Sequence, residues 1–215
     1  MKVCAVAFDM DGLMFNTEDV YSDTGSVLLE RRGHKFTKDL KDAMMGLNPK
    51  LSFEVMIDWY SLEDDWKSLA EESEEVFLGL LESSLAPMTG LLGLLDRLES
   101  LGIPKAVTTS SSHRLLTAIL TQAGLLGRFA FTLTFEDIKN GKPHPEIYQT
   151  AAARFGVTPE SMLVLEDSHN GVVSASKAGA YTVAVPNEHT VHLDFSAADL
   201  IVDSLEDQRL LELLN

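Results

Sequence analysis

Six apolar residues, Val3 to Phe8 (VCAVAF), run straight into Asp9-Met10-Asp11-Gly12, and this stretch constrains the fold more than any other. A continuous apolar segment that stops at a turn signal suits a strand covered on both faces, as in a parallel sheet, better than a half-exposed strand. If extended geometry persists through Asp11, the period of two turns Asp9 and Asp11 toward one space. That space lies at the carboxyl end of a buried strand, where open α/β sheets keep their chemistry. The same residues also suit a strand that ends in solvent, because Asp and Gly are ordinary turn formers. Taken alone, the stretch does not separate the two readings.

Composition narrows the partners. A formal net charge of −16, from 33 acidic against 17 basic residues, argues against nonspecific binding to nucleic acid or an anionic membrane. An anionic small molecule is still admissible, provided that a metal or a placed lysine offsets the carboxylates locally. The single cysteine, Cys4, lies inside the apolar run and reads as a small buried thiol rather than part of a disulfide framework. Without a leader pattern or a stretch of membrane-spanning length, the expectation is a cytoplasmic protein, taken as a monomer.

The 215 residues admit either one domain or a core with an inserted lobe. From Glu18 to about Leu85 the strand pattern is absent. Val27, Leu28, Leu29 and then Val55, Met56, Trp59, Tyr60 recur at near-helical spacing, with a break at Asn48-Pro49. Packing between helices is the expected role of Trp59, Tyr60 and Trp66, and a solvated face that of the acidic stretch Glu63 to Glu75. From Met88 onward strands alternate with helices. Strands are predicted at Lys105 to Thr109, Phe131 to Phe135, Met162 to Leu165, Tyr181 to Val185 and Leu200 to Val202. Helices are predicted at Leu91 to Leu101, His113 to Gly124, Pro145 to Arg154 and Leu205 to Leu214. Strand–helix alternation implies right-handed crossovers and a parallel sheet. The expected architecture is a doubly wound α/β core (1–16 and 86–215) interrupted by a helical domain (17–85).

Three polar clusters follow predicted strands or the loops after them. Thr109-Ser110-Ser111-Ser112 reads either as a helix cap or as a phosphate cradle built from a hydroxyl and backbone N–H groups. Lys142, in Gly141-Lys142-Pro143-His144-Pro145, is either a surface charge or an ammonium held by a proline-stiffened loop. Glu166-Asp167 either caps the next helix or holds a hard cation. The six histidines form no ligand pair at helical spacing, and there is no Gly-x-Ser-x-Gly elbow.

Taken together, Asp9-Met10-Asp11-Gly12, Thr109, Lys142 and Glu166-Asp167 resemble the four motifs of the haloacid dehalogenase superfamily. The stretches GKPHPEIY (141–148) and LVLEDSHNG (163–171) are similar to the subgroup of beta-phosphoglucomutase, phosphoglycolate phosphatase and pseudouridine-5'-phosphatase. The resemblance covers essentially the whole chain and implies a Rossmann-like core with a helical cap. It implies Asp9 as nucleophile through an aspartyl-phosphate and Asp11 as acid and then base, with Thr109, Ser110 and Lys142 as phosphate holders. It further implies Mg²⁺ bound by Asp9, Asp167 and the Asp11 backbone carbonyl, with Glu166 acting directly or through water. Asp11 also sets the chain apart from family members that cleave carbon–halogen bonds. In the cap, Tyr21 stands where the related mutase has a histidine, and Lys50 follows Gly46 where that mutase has an arginine. Tyr21, Gly46, Lys50 and His113 are therefore the candidates for substrate selection. These substitutions favour a phosphatase acting on a small phosphorylated metabolite, of the sugar or nucleoside monophosphate kind, over a sugar-phosphate mutase. A non-catalytic binding protein with the same fold is the third reading.

Overall fold

In the computed structural model, which describes residues 2–44, 47 and 49–215, the chain divides into two compact units, Met1–Asn16 with Ala86–Asn215 and Thr17–Leu85. The first is built on a six-stranded sheet. Its strands are β1 (Ala5–Phe8), β2 (Lys105–Thr108), β3 (Phe131–Leu133), β4 (Met162–Glu166), β5 (Tyr181–Ala184) and β6 (Leu200–Ile201). All pairings are parallel and the order is β3-β2-β1-β4-β5-β6. β1 is central, with every residue 0% exposed, which accounts for its unbroken apolar composition. Strand order reverses between β1 and β4, and it is beyond the carboxyl ends at such a switch that open parallel sheets bind ligands. Register keeps those ends level: Phe8 lies opposite both Val107 and Leu165.

Helices cover the sheet through one-sided apolar faces. They are α5 (Leu91–Ser100), α6 (His113–Gln122), α7 (Glu146–Phe155), α8 (His169–Ala178) and α9 (Gln208–Glu212), and the numbering leaves α1–α4 to the second unit. α5 buries Leu91, Leu94, Leu95 and Leu98 at i, i+3, i+4 and i+7. α7 lays Ile147, Tyr148, Ala151 and Ala152 into a cluster with Ala5, Ala7, Met162 and Val164.

Among the boundaries that differ from the sequence expectation, two are set by side-chain caps. β3 stops at Leu133 rather than Phe135, because Thr134 caps a 3₁₀ turn over Phe135–Asp137: its hydroxyl accepts from Glu136 N while Asp137 accepts from Thr134 N. The last helix is Gln208–Glu212 rather than Leu205 to Leu214, since the Asp207 side chain accepts from Arg209 N and fixes its start.

One exposed ion-pair group ties α5, β2 and the loop before β3. Glu99 accepts from Lys105 Nζ at 2.8 Å and from Nε and Nη2 of Arg128 at 2.8 and 2.7 Å, and the Lys105 side chain is 5% exposed. Arg128 and Lys105 together hold the Glu99 carboxyl down to about 2, from an ordinary 4.5. A depressed carboxyl contributes stability above its unfolded value and loses it as pH falls toward its folded value. Glu99→Gln is thus expected to lower the thermal unfolding midpoint at pH 7 and to flatten the loss of stability between about pH 4.5 and 2, read by scanning calorimetry across that range.

The second unit consists, among the described residues, of α1 (Thr17–Glu30), α2 (Lys38–Met44), α3 (Pro49–Tyr60) and α4 (Trp66–Ser84). α1 packs along α4, and α3 lies against α2 and α4. Leu29, Leu40, Met56 and Leu69 form its centre, with Phe36, Phe53, Ile57 and Tyr60 packed on it. Trp59 departs from the expected helix packing: it is 48% exposed, whereas Met56 on the same helix is buried. The acidic stretch is also only partly solvated. Asp64 and Glu72 grip Arg32 at 2.7 and 2.6 Å, in a fork that suits guanidinium, and Glu72 also meets Arg31.

Candidate active site

The loops at the carboxyl ends of β1, β2 and β4, with the loop carrying Lys142, bring the strand-end polar residues together. Asp9 follows β1, and its N–H donates to Leu165 O at 3.0 Å, extending the β1–β4 ladder to the rim. Lys142 reaches across from the loop before α7. Its Nζ donates to Asp9 Oδ1 at 2.5 Å, Glu166 Oε1 at 2.7 Å and Thr108 O at 3.1 Å, with its side chain 5% exposed. Of the two readings of Lys142, the held ammonium is the one the geometry takes.

Glu166, fully buried, is surrounded by donors. Oε1 accepts from Lys142 and from Tyr148 Oη at 2.6 Å, and Oε2 from Ser168 Oγ and the N–H groups of Asp167 and Ser168. Gly171 on α8 admits this carboxylate, since a Cβ there would lie 1.8 Å from Glu166 Oε1. Carboxylate oxygens of Asp9, Glu166 and Asp167 lie within 4.8 Å of one another, all buried.

Three carboxylates against one ammonium leave a surplus of negative charge out of water. Burial pushes the Asp9 carboxyl well above the ordinary range, against the pull of Lys142 and with Glu166 and Asp11 adding to the rise. Burial alone would favour neutral Lys142, but Asp9 and Glu166 outweigh it and raise the ammonium. A small set of buried hard oxygen donors with surplus negative charge fits a divalent cation such as Mg²⁺.

Asp11 is turned differently. Its Oδ2 accepts from Thr109 Oγ1 at 2.9 Å and Ser111 Oγ at 2.7 Å, while its Oδ1 is buried without a hydrogen-bond partner among the described residues. The Asp11 side chain is therefore not part of the three-carboxylate cluster. Thr109 is 0% exposed and its Oγ1 also accepts from Ser111 N. The serine run divides its tasks: Ser110 is exposed, Ser111 faces Asp11, and Ser112 caps α6 by accepting from Leu115 N. His113, first in α6, places Nε2 3.1 Å from Asp137 Oδ2.

In the helical unit, Tyr21 packs on Phe77 with ring centroids 4.6 Å apart, and Lys50 pairs with Glu54 at 3.7 Å. Gly46 lies outside the described residues.

Sequence reasoning did not single out three residues of this site. Tyr148 sits in the quoted 141–148 stretch, but a tyrosine opening an apolar helix face reads as core. Ser111 was one of four similar hydroxyls. Asn187 donates through Nδ2 to Gly12 O at 3.0 Å and Asp167 Oδ2 at 2.8 Å; following Pro186 it reads as a turn residue, and its place just after a strand was the usable signal.

Residues 6–185 match the family model described as haloacid dehalogenase-like hydrolase. A protein of Drosophila melanogaster named as a probable pseudouridine-5'-phosphatase is 32% identical over 96% of this chain and 91% of its own. A phosphorylated carbohydrates phosphatase of Thermotoga maritima is 34% identical over 81% of each chain. In fold, the chain is similar to CbbY from Rhodobacter sphaeroides, solved in complex with phosphate, with a TM-score of 0.85 and 24% identity over 94% of this chain and 95% of the other.

Proposed function

The chain belongs to the haloacid dehalogenase-like hydrolases, and we propose that within this family it is a Mg²⁺-dependent phosphatase that hydrolyses a small phosphorylated metabolite through an aspartyl-phosphate on Asp9. The observation that carries this reading is the buried set Asp9, Glu166 and Asp167, with the Lys142 ammonium paired to the first two, at the strand-order switch of a parallel sheet.

In the proposed reaction an Asp9 carboxylate oxygen attacks phosphorus, the bond from phosphorus to the leaving oxygen breaks, and Asp11 gives that oxygen its proton. Water then attacks the aspartyl-phosphate, giving a proton to Asp11, and Asp9 is restored as inorganic phosphate departs. Thr109 and Ser111 engage Asp11 through Oδ2, and the burial of Oδ1 with no hydrogen-bond partner among the described residues supports reading it as the oxygen that carries the proton. Lys142 meets the phosphoryl oxygens, and Glu166 with Tyr148 keeps its ammonium in place. Asp9, Asp167 and the Asp11 backbone carbonyl would hold Mg²⁺, with Glu166 beside them. Bound there, the ion neutralises phosphoryl charge.

The 17–85 unit is proposed as the cap that selects substrate. The names of the relatives point to phosphorylated carbohydrates and nucleoside-type monophosphates as the substrate class. A phosphate-release screen of sugar and nucleoside monophosphates, run with Mg²⁺ and with chelator, is expected to give turnover on some of them that chelator abolishes and added Mg²⁺ restores. Turnover undiminished by chelator would remove the metal from the reading. Conversion of a sugar phosphate to its isomer without phosphate release would replace phosphatase by mutase.

A further inference from the structure

The Asn187 amide, on the loop after β5, ties two turns that the sequence keeps far apart. Its Nδ2 donates to Gly12 O at 3.0 Å and to Asp167 Oδ2 at 2.8 Å, and its Oδ1 accepts from His189 N at 2.8 Å. Both amide hydrogens are thus committed, and His189 N fixes which end of the amide is which. The flipped amide would set its oxygen against a carboxylate and a carbonyl, and its NH₂ against an N–H. The loop is itself pinned, since Asn187 N donates to Thr190 Oγ1 at 3.1 Å. Gly12 completes the contact. With φ of +77° it occupies the left-handed region, and a Cβ there would lie 2.3 Å from Asp167 Oδ2 and 2.8 Å from Asn187 Nδ2. Glycine is what lets the turn after β1 close against the end of β4.

We propose that Asn187 is a positioning residue that clamps the Asp167 carboxylate to the Gly12 peptide and so sets the metal-binding geometry, an inference that rests on the Mg²⁺-dependent reading above. Gly12 O and Asp167 Oδ2 are both acceptors and repel each other unless a donor lies between them. Asn187 supplies that donor with two hydrogens from one nitrogen. The amide touches neither Asp9 nor Lys142 through any hydrogen bond among the described residues, so it acts through Asp167 and the turn that carries Asp11 and Gly12.

The test uses the full chain with Mg²⁺ as the probe. Asn187→Ala removes the amide, and Asn187→Leu keeps most of its volume without a donor. Both are expected to weaken Mg²⁺ binding, measured by calorimetry, by about 10- to 100-fold, the range found for partners that orient metal-binding side chains. Their turnover is expected to recover toward wild type when Mg²⁺ is raised to saturation, with substrate KM unchanged. Asp167→Asn run in parallel separates the two layers of inference. If Asp167→Asn loses Mg²⁺ binding while both Asn187 variants stay within twofold of wild type, the clamp is overturned and the metal reading stands. If Asp167→Asn itself binds Mg²⁺ as wild type does, both are overturned. A rate loss in the Asn187 variants that saturating Mg²⁺ does not restore, together with a lowered unfolding midpoint, assigns Asn187 to loop structure alone and also overturns the proposal.

Discussion

Asp9→Asn is expected to lower Mg²⁺-dependent phosphate release by at least about 10⁴, the scale of losing a nucleophile, while leaving the protein folded and no less stable than wild type. The stability half follows from charge. Three buried carboxylates lie together while one ammonium meets two of them, and Asp9 is already pushed upward by burial and by its acidic neighbours. An asparagine amide keeps the side-chain volume and offers Lys142 Nζ an oxygen in place of Asp9 Oδ1, while removing one negative charge from the surplus. The thermal unfolding midpoint, measured without metal, is therefore expected to stay level or rise. Labelled phosphate from a turned-over substrate should appear on the wild-type chain after acid quench and be missing from the variant. A variant that keeps its rate within tenfold of wild type would remove Asp9 from the nucleophile role.

The fold was legible where local pattern and burial coincide. An apolar run without alternation, as in Val3 to Phe8, implies coverage on both faces, and β1 is indeed the fully buried centre of a parallel sheet. The edges were harder. β3 stops and the last helix starts where a side chain captures a backbone N–H, at Thr134 and Asp207, and a cap of that kind competes with propensity over only a few residues. In the site, polar residues after strands could be listed from sequence, but not which atoms would meet. Lys142 and Asp9 are 133 positions apart, and only the crossovers bring them together. Ser110 and Ser111 are chemically alike in sequence; the turn after Thr109 sends one to solvent and the other to Asp11. Asn187 was hidden for a related reason, since its partners belong to two other strand ends and its local setting, Pro186-Asn187, is that of any turn.

Lys142→Ala is expected to lose activity, though less than Asp9→Asn, and to oppose it in stability. Its Nζ serves Asp9, Glu166 and the Thr108 carbonyl from within the protein. Without it two buried carboxylates face each other uncompensated, and breaking a buried pair in this way costs about 3–5 kcal/mol. The unfolding midpoint should therefore fall, and added Mg²⁺ should recover more of it than in wild type, because a cation then relieves a larger surplus. The rate should fall by about 10²–10³, as when one preorganised charge partner of a transition state is lost, and inorganic phosphate should bind more weakly. Lys142→Arg is not expected to rescue either property, since a planar guanidinium is bulkier than the ammonium it replaces and directs its donors in one plane. The double variant Asp9→Asn with Lys142→Ala supplies the decisive comparison. If the ammonium's structural task is to offset the carboxylates, removing one of them should return part of the stability lost in Lys142→Ala, a coupling that a double-mutant cycle reads directly. Were the pair an ordinary buried salt bridge with no part in phosphoryl transfer, each single variant would lose stability and Lys142→Ala would keep its rate.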